Sequence, residues 1–160
     1  MDLKLKSTPE LLVLHSEVSE ELRLRKVLRS SNNPTGDLAE YMFCQAFGWK
    51  QENNSHAHVD AIDIYNVRYQ IKARRMTQHN DSRQMSAIRN LNDDHFDFLA
   101  AVIFTSNYKV YKAAVIPIDA VKKHSKFTPH TNSHRFILRD NIWDLPDVRD
   151  VTQELSFVKL

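Results

Sequence analysis

Acidic, amide and cationic side chains gather in residues 59–75, which read VDAIDIYNVRYQIKARR. Asp60 and Asp63 lie in the first half of this segment, and Gln70 and Lys72 lie in the second half. Carboxylate and amide oxygens are hard ligands that suit Mg²⁺, and a nearby lysine can stabilise charge that develops on a phosphate. This combination of residue types predicts metal-assisted hydrolysis of phosphodiester bonds.

The same segment has the residue pattern of a β-hairpin. Two runs rich in β-branched and aromatic residues, at about residues 59–65 and 67–74, predict two strands joined by a tight turn. Strand alternation turns Asp60 and Asp63 to opposite faces, so the two acids cannot serve one site equally. Asp60 lies where the strand begins and a ligand can approach, and it is therefore the first choice, with Asp63 in reserve.

On the second strand, Gln70, Lys72 and Arg74 share one face. Lys72 therefore lies beside Gln70 and opposite the acids of the first strand. Two interpretations stay open for these charges. Either they form a site, or Asp60 or Asp63 forms an ordinary cross-strand ion pair with Lys72 or Arg74, worth under about 1 kcal/mol if it is exposed.

A third acid comes from a predicted helix that precedes the hairpin. Asn33 is a suitable N-cap, Pro34 suits the first helical position, and Gly48 ends the helix after about Phe47. At 100° per residue, Glu40 falls on the boundary between the apolar and polar faces of this helix. A boundary carboxylate can reach a cleft, although it can equally be an ordinary surface acid.

The remaining elements predict an α/β fold with a central mixed β-sheet flanked by helices. Residues 96–105 are continuously apolar, as expected of a central strand buried on both faces. Residues 108–116 form its neighbour, residues 118–123 a short helix, and residues 135–138 a last strand. A further helix, with many apolar residues, is predicted over about residues 9–29.

The length of 160 residues fits one domain. We expect a core over about residues 33–139 and a C-terminal extension over about residues 140–160. Residues 76–94 are polar and loop-like, with one helical turn predicted at about residues 84–90. A connection of this length within a compact domain predicts a functional role.

Positive charge is concentrated after the hairpin, although the net charge of the whole chain is only +2. Between Arg68 and Arg89 there are six basic residues and one acid. Arginine binds phosphates in a bidentate manner, so the candidates for nucleic-acid contact are Arg74, Arg75, Arg83 and Arg89. A second, weaker basic stretch holds Lys122, Lys123, Lys126, Arg135 and Arg139.

Composition argues against several classes of protein. Cys44 is the single cysteine, which excludes an intramolecular disulfide or a thiolate metal cluster and fits core packing. No apolar run approaches the roughly 18 residues of a membrane span, and the first residues lack a signal-peptide core, so we expect a cytoplasmic protein with no membrane partner. His56 and His58 lack a third ligand at a suitable spacing, and a polar loop is the better interpretation than a metal site.

Three motifs occur in a characteristic order: GDLAE at residues 36–40, VDAID at residues 59–63 and YQIKARR at residues 69–75. Together they resemble the core of the PD-(D/E)XK nuclease superfamily, which has the restriction-endonuclease-like fold. FDFLAAVIF and YKVYKAAVIP resemble the core strands that follow, so the resemblance covers roughly residues 36–138. It is closest to a branch of small proteins with the pattern GDxAE, DAID and YQIKxRR.

The resemblance implies a role for each matching residue. Asp60 corresponds to the metal-binding aspartate, Gln70 occupies the second acidic position, Lys72 is the catalytic lysine, and Glu40 is the helix acid of the site. The backbone carbonyl of Ile71 is implied as a further metal ligand. The implied metal is Mg²⁺, for which Mn²⁺ can substitute, and no organic cofactor is implied.

Gln70 and Val59 depart from the superfamily pattern. Asp or Glu is commoner at the position of Gln70, and a neutral amide lowers metal affinity unless Glu40 or Asp63 supplies the missing carboxylate. Gln is nevertheless a variant that similar proteins have at this position. The literal proline that precedes the metal-binding aspartate is replaced here by Val59.

The expectation is therefore a Mg²⁺-dependent endonuclease that hydrolyses DNA. Cutting both strands with one small site per chain favours a two-fold dimer, whereas a monomer can nick DNA or select a particular DNA structure. The N-terminal helix either provides the dimer contact or packs against the sheet. Two alternatives stay open: a nuclease-fold module that has lost hydrolysis and binds nucleic acid or a protein partner, and a plain interaction domain whose hairpin charges are ion pairs.

Overall fold

The chain folds around one central β-sheet in the structure, a computed structural model that describes residues 1–53 and 58–160. The strands, in chain order, are β1 (Lys50–Gln51), β2 (Ala61–Ile62), β3 (Arg68–Arg75), β4 (Phe98–Phe104), β5 (Val110–Pro117), β6 (Lys126–Thr128), β7 (Ser133–Arg135) and β8 (Arg149–Asp150). The helices are α1 (Thr8–Leu24), α2 (Pro34–Phe47), α3 (Ile118–His124) and α4 (Thr152–Ser156). Short 3₁₀ turns occur at Leu3–Leu5, Leu91–Asp93, Pro129–Thr131 and Asp140–Asp144.

The sheet is mixed, and its strand order is β1-β2-β3-β4-β5-β8. β3 and β4 run parallel, whereas every other neighbouring pair in this sheet is antiparallel. β6 and β7 form a separate two-stranded ribbon. The six-stranded mixed sheet and the four α-helices within the described residues confirm the expected α/β class.

β4 lies at the centre of the sheet, as its apolar sequence predicts. Residues Leu99 to Phe104 are fully buried, because β3 and β5 pair with the two edges of the strand and side chains cover both of its faces. Alternate residues belong to different clusters. Ala100 and Val102 pack with α2 and α4 on one face, whereas Leu99 and Ala101 pack with α3 and the β3–β4 connection on the other.

Local signals set the ends of α2. The side chain of Asn33 accepts a hydrogen bond from the Thr35 N–H, and Pro34 occupies the first turn. Gly48 ends the helix in the left-handed region, with φ of 66°. The predicted bounds of this helix are confirmed because each depends only on neighbouring residues.

Stacked aromatic rings join α2 to the strands. The Trp49 ring lies 5.0 Å from Phe47 and 5.8 Å from Phe43, both on α2. On its other side it stacks on Tyr69 of β3, with 3.7 Å between ring centroids. Tyr69 in turn lies 5.9 Å from Phe98 at the start of β4. These contacts hold the first residues of β3 against α2, the helix that carries Glu40.

α1 differs from the prediction in its length and in its packing. A capping box between Ser7 and Glu10 starts the helix, but it ends at Leu24 rather than near Arg29. None of its residues is buried against the described part of the chain. Of the two alternatives for this helix, packing against the sheet is therefore not supported, and the dimer contact stays a prediction. Its apolar side chains, such as Val18, stay exposed.

Other boundaries also differ because tertiary contacts set them. β2 is much shorter than the predicted residues 59–65, since the chain turns at Asp63. Residues 84–90 form no helical turn. They bridge instead to β7 and to the segment after it, with Ile88 opposite His134 and Gln84 opposite Ile137.

The predicted last strand of the sheet is also wrong. At residues 135–138 only Arg135 belongs to a strand, and that strand is β7 of the separate ribbon. The edge of the sheet is instead the two-residue β8, which follows an irregular segment and carries no strong sequence pattern.

Two smaller expectations concern Cys44 and the membrane. Cys44 is half-buried and packs against the core on the α2 side of the sheet, as predicted. Burial raises the pKa of its thiol to about 11, so the thiol stays protonated and unreactive. None of the helices in the described residues has the length and apolarity needed to cross a lipid bilayer.

Candidate functional site

A cleft of about 760 Å³ opens along the edge of β3. β2 pairs with β3 only at Ala61 and Ile62, and beyond those pairs this edge of β3 has no strand partner in the described residues. The start of α2, the residues just before β2 and the β3–β4 connection form the walls. All four predicted catalytic residues, Glu40, Asp60, Gln70 and Lys72, line this cleft.

Asp60 is held at the mouth of the hairpin by two backbone contacts. Its N–H donates to the Tyr69 carbonyl at 2.8 Å, and its Oδ2 accepts from the Ile71 N–H at 2.6 Å. Burial raises the pKa of this carboxyl, while the hydrogen bond from Ile71 and the charge of Lys72 oppose the change. A buried carboxylate in a cleft, with raised pKa, is the state that a bound cation would stabilise.

Glu40 projects from α2 toward the same region. Its Oε2 accepts from Arg29 Nη2 at 2.6 Å and from Gln51 Nε2 at 2.8 Å. Its side chain is only 17% exposed. Burial raises the pKa of Glu40, and the negative charge of Asp60 raises it further, so the two carboxylates lie within electrostatic range of each other. Glu40 is therefore not an ordinary surface acid.

Lys72 is half-buried on β3, two residues after Gln70 and on the same face. Burial lowers the pKa of its ammonium, whereas the charges of Asp60 and Glu40 raise it. Among the described residues, no ion pair within 4.0 Å joins Asp60 or Asp63 to Lys72 or Arg74. The geometry therefore does not support the interpretation of these charges as ordinary cross-strand ion pairs.

Gln70 supplies the most informative atom of the cleft. The residue is 5% exposed, and its Oε1 is buried with no hydrogen-bond partner among the described residues. Leaving a buried carbonyl-type oxygen unpaired costs about 1–3 kcal/mol, so such atoms are rare unless they have a function. This oxygen is an unused acceptor in the wall of a cleft that also holds two carboxylates.

The Ile71 carbonyl faces the same edge of the sheet. Within a strand, the N–H and C=O of one residue point to the same side. The Ile71 N–H donates to Asp60, so the Ile71 carbonyl also points toward the side of β3 where Asp60 lies. This orientation fits the role of a backbone ligand that the resemblance implies for Ile71.

These donors suit a hard divalent cation. Within residues 1–53 and 58–160, no group of three His, Cys, Asp or Glu side chains could hold a metal ion. The available set is the two carboxylates of Asp60 and Glu40, the Gln70 amide oxygen and the Ile71 carbonyl. Mg²⁺ typically takes one or two carboxylates and keeps several waters, so an oxygen-only set with two charges fits it.

Asp63 has a structural role instead of a place in the cleft. Its Oδ1 accepts from the N–H groups of Tyr65 and Val67, at 2.8 and 3.0 Å. Its Oδ2 accepts from the Tyr69 hydroxyl at 3.1 Å. Because Asp63 closes the turn between β2 and β3, it does not supply the carboxylate that Gln70 lacks.

His58 lines the cleft and contacts the β3–β4 connection. Its ring lies 4.9 Å from that of His95, and its Nε2 lies 3.2 Å from Asn90 Nδ2. Both contacts join the segment before β2 to the β3–β4 connection. His56, the other histidine of the predicted pair, lies outside the described residues.

The cleft includes three of the four arginines predicted to contact nucleic acid. Arg74, Arg75 and Arg89 line it. Arg83 does not, because its guanidinium pairs with Asp140 at 2.8 Å and bonds to the Tyr111 hydroxyl. Arg83 therefore lies apart from the other three, and its contact with nucleic acid stays a prediction.

Two residues of the site carry no sequence signal. Arg29 and Gln51 both bind Glu40, but Arg29 lies in the linker before α2 and Gln51 in the two-residue β1. Each is separated from Glu40 by 11 residues and acts on it only through the tertiary fold. A charge-partner search along the predicted helix could not have found either one.

Comparison with known proteins adds no assignment. No protein-family model matches the chain, and no curated protein matches it significantly. The function of the cleft is therefore inferred from its residues and their geometry.

Proposed function

We propose that the chain is a Mg²⁺-dependent nuclease that hydrolyses phosphodiester bonds of DNA, with Mn²⁺ able to replace Mg²⁺. The observation that carries this proposal is the unpaired, buried Oε1 of Gln70 in a cleft shared with Asp60, Glu40 and Lys72. A cation held between these oxygens satisfies the amide and neutralises the two carboxylates. No smaller change would relieve all three groups.

We also propose a restriction-endonuclease-like fold. An antiparallel hairpin, β2 and β3, is followed by a parallel pairing of β3 with β4 and by the antiparallel β5. α2 packs on one face of this sheet and places Glu40 near the open edge of the hairpin. This arrangement supports the resemblance of the three motifs.

Different residues of the cleft have different roles in the proposed reaction. Asp60, Gln70 and Glu40, with the Ile71 carbonyl, would hold the cation. When bound, Mg²⁺ supplies charge neutralisation at the phosphate and lowers the pKa of a coordinated water. Lys72, half-buried beside these ligands, orients the attacking water or stabilises the negative charge that grows on the phosphate.

Arginines at the end of β3 and in the following connection hold the substrate strand. Arg74 and Arg75 extend along the cleft from the residues that would hold the cation, and Arg89 approaches from the β3–β4 connection. Arg75 is braced by the Tyr108 ring, with 4.5 Å between the guanidinium carbon and the ring centroid. Phosphate contacts of this kind fix the register of the strand without reading its sequence.

Cleavage of plasmid DNA tests the proposal. Wild-type protein with Mg²⁺ or Mn²⁺ should nick or linearise the plasmid, and Lys72→Ala should lower the rate by at least about 100-fold, the usual effect of removing a group that stabilises transition-state charge. Lys159→Ala, which changes an exposed lysine outside the cleft, is the matched control and should cleave like the wild type. Equal cleavage by wild type and Lys72→Ala would show a contaminating nuclease and reject the proposal.

A second candidate is a module of the same fold that binds nucleic acid or a protein partner without hydrolysis. Two observations favour it: Gln70 carries no charge, and Arg29 already forms an ion pair with Glu40 at 2.6 Å. Both reduce the negative charge available to a cation. Such a module binds DNA but leaves it intact with either metal. Divalent-metal calorimetry separates both candidates from a plain interaction domain, which should bind neither Mg²⁺ nor Mn²⁺.

We further propose that two copies associate through α1. Leu11, Leu14, Val18 and Leu22 lie on one face of this helix, and Leu11 and Val18 are exposed. A helix of 17 residues, none of which is buried in the described chain, gains little stability from its own hydrogen bonds. A second copy would cover this face and bring two sites to one duplex.

A further inference from the structure

A second concave surface, formed by the end of α3 and the β6–β7 ribbon, carries dense positive charge. Its cavity of about 340 Å³ is lined by Lys123, Lys126, Arg135 and Arg139, together with His124, Ser125 and Ile137. No aspartate or glutamate is among the lining residues. We call this surface the basic cavity.

The four permanent cations of the basic cavity are exposed and lack acidic partners. None of Lys123, Lys126, Arg135 and Arg139 forms an ion pair within the part of the chain that the structure describes. The neighbouring Lys122, in contrast, pairs with Asp94. Like charges held around one concavity repel one another, and a bound anion relieves that repulsion.

The fold, rather than a single charged run, creates this cluster. Lysines in the last turn of a helix are common because they complement its dipole, and Lys123 fits that explanation. Lys126 and Arg135, however, are cross-strand partners in the β6–β7 ribbon, and Arg139 follows that ribbon. Three separate segments therefore present their cations to the same space.

A third cavity of about 250 Å³ lies next to both the basic cavity and the cleft, and shares one lining residue with each of them. Ala87 lines both the cleft and this middle cavity, and Arg135 lines both the middle cavity and the basic cavity. Gln84, Thr128 and Thr131 contribute polar side chains between these two points. Three adjoining concavities thus follow one another across the surface, from the carboxylates of the cleft to the cations of the basic cavity.

We propose that the basic cavity is a second phosphate-binding site, occupied by the same polynucleotide strand that enters the cleft. This inference rests on the proposed function, because it takes the strand in the cleft to be DNA. A polymer is favoured over a free phosphate or a small anion because only a polymer can occupy the cleft and the basic cavity together, with the middle cavity adjoining both. The backbone of the strand, and not its bases, makes the contact, since the cavity offers four permanent cations and no Phe, Tyr or Trp side chain.

Binding without hydrolysis tests this assignment. Fluorescence anisotropy with Lys72→Ala as background and no divalent metal keeps the labelled DNA intact. Adding Lys123→Gln and Lys126→Gln should weaken binding of a long strand about tenfold and reduce the slope of log K against log salt by about 1.4–1.8, since each lost phosphate contact removes about 0.7–0.9. A short oligonucleotide that fills only the cleft should lose less than twofold.

Matched controls make the outcome specific. Lys4→Gln with Lys159→Gln removes the same charge from exposed lysines that line none of the three cavities, and should leave the affinity unchanged. Because Lys123 and Lys126 are exposed, their replacement should not unfold the protein, and circular dichroism checks this. Unchanged affinity and salt slope in the double variant would overturn the proposal.

Two competitors distinguish the class of ligand. Unlabelled DNA should displace the probe, whereas inorganic phosphate and polyglutamate at equal charge concentration should not. Displacement by polyglutamate that is as effective as by DNA would overturn the assignment in favour of an acidic protein partner. If the wild type fails to cleave plasmid while the added lysine substitutions still weaken DNA binding, the nuclease is rejected and the second site is retained. If the wild type cleaves plasmid and these substitutions do not weaken DNA binding, only the second site is rejected.

Discussion

Burial shifts the pKa values of three ionisable side chains in the cleft: Asp60, Glu40 and Lys72. Burial raises the pKa of both carboxyls and lowers that of the ammonium. Each shift means that the folded state disfavours the charged form of the group. A chain selected for stability alone would place these groups in water, so their position indicates that function opposes stability at this edge of the sheet.

Asp60→Asn should stabilise the metal-free protein at neutral pH. The native carboxyl has a raised pKa, so the native state binds its proton more tightly than the unfolded state, where the pKa is near 3.8. Stability is therefore lost as pH rises from that value through the raised native pKa. In metal-free buffer near pH 7, we expect a rise in Tm of about 2–4 °C, the shift that about 1 kcal/mol produces in a domain of this size.

Thermal melts at a series of pH values, with Asp147→Asn as the exposed control, measure this effect. The wild type should approach the Asp60→Asn variant in Tm as the pH is lowered, because protonation removes the charge of the native carboxyl. Added Mg²⁺ should raise the Tm of the wild type and leave that of Asp60→Asn nearly unchanged. A lower Tm for the variant in metal-free buffer at neutral pH would show that the charged form is stabilised in the fold.

Gln70→Glu should bind Mg²⁺ more tightly than the wild type. The unpaired amide oxygen already faces the cleft, and a carboxylate at the same position adds one negative charge to the two of Asp60 and Glu40. Because the affinity of such sites follows the number of charged ligands, we expect roughly tenfold tighter binding by calorimetry. Gln84→Glu, an exposed change outside the cleft, controls for net charge. Equal affinities for the two variants would place the cation elsewhere.

At the scale of secondary structure, the hairpin is held by its turn more than by its short strand. β2 contributes only two residue pairs to β3, whereas Asp63 accepts three hydrogen bonds across the turn. The Tyr69 hydroxyl that donates one of these has its pKa raised to about 12, first by burial and then by Asp63. The position of Asp60 therefore depends on a residue outside the cleft.

Asp63→Ala should destabilise the protein by about 2 kcal/mol, because it leaves three donors without their acceptor, one of them on the buried Tyr69. Urea unfolding followed by circular dichroism measures the change, and Asp81→Ala, an exposed change in the β3–β4 connection, is the control. We also expect weaker metal binding, since Asp60 would no longer be held in a fixed position. A variant that matches Asp81→Ala in stability would show that the turn forms without this side chain.

Elements whose ends depend on local residues could be predicted from the sequence. Asn33 and Gly48 bound α2, and the apolar run of β4 required burial on both faces. The short β2, the irregular path of residues 84–90 and the edge strand β8 could not be predicted, because their partners are distant in sequence.

The residues of the candidate site likewise divide into those that could be predicted from the sequence and those that could not. Motif spacing indicated Glu40, Asp60, Gln70 and Lys72, and the structure places all four around one cleft. Arg29 and Gln51, which hold Glu40, come from a linker and a two-residue strand that have no pattern of their own. Arg83 was predicted to contact nucleic acid from its place in the polar segment after β3, and its pairing with Asp140, 57 residues away, could not be predicted.

At the scale of the whole molecule, the exposed α1 is the surface through which we propose that two chains associate. Val18 is 51% exposed in the middle of an apolar face that nothing in the described residues covers. We expect sedimentation equilibrium to show a wild-type dimer and Val18→Asp to be monomeric, because a charge at the centre of an apolar interface cannot be solvated. Ser16→Asp, on the opposite side of the same helix, should remain dimeric. A wild-type protein that is monomeric at every concentration would remove α1 as the contact.

The stacked rings of Phe43, Phe47, Trp49 and Tyr69 give the protein an intrinsic optical reporter. Aromatic chromophores held this close and in fixed orientation produce strong near-ultraviolet circular dichroism, which disappears when side-chain packing is lost. Tyr69 is the residue directly before Gln70, so the signal originates next to the edge of β3 where we propose that a cation binds. Movement of the hairpin relative to α2 can therefore be followed without attaching a label.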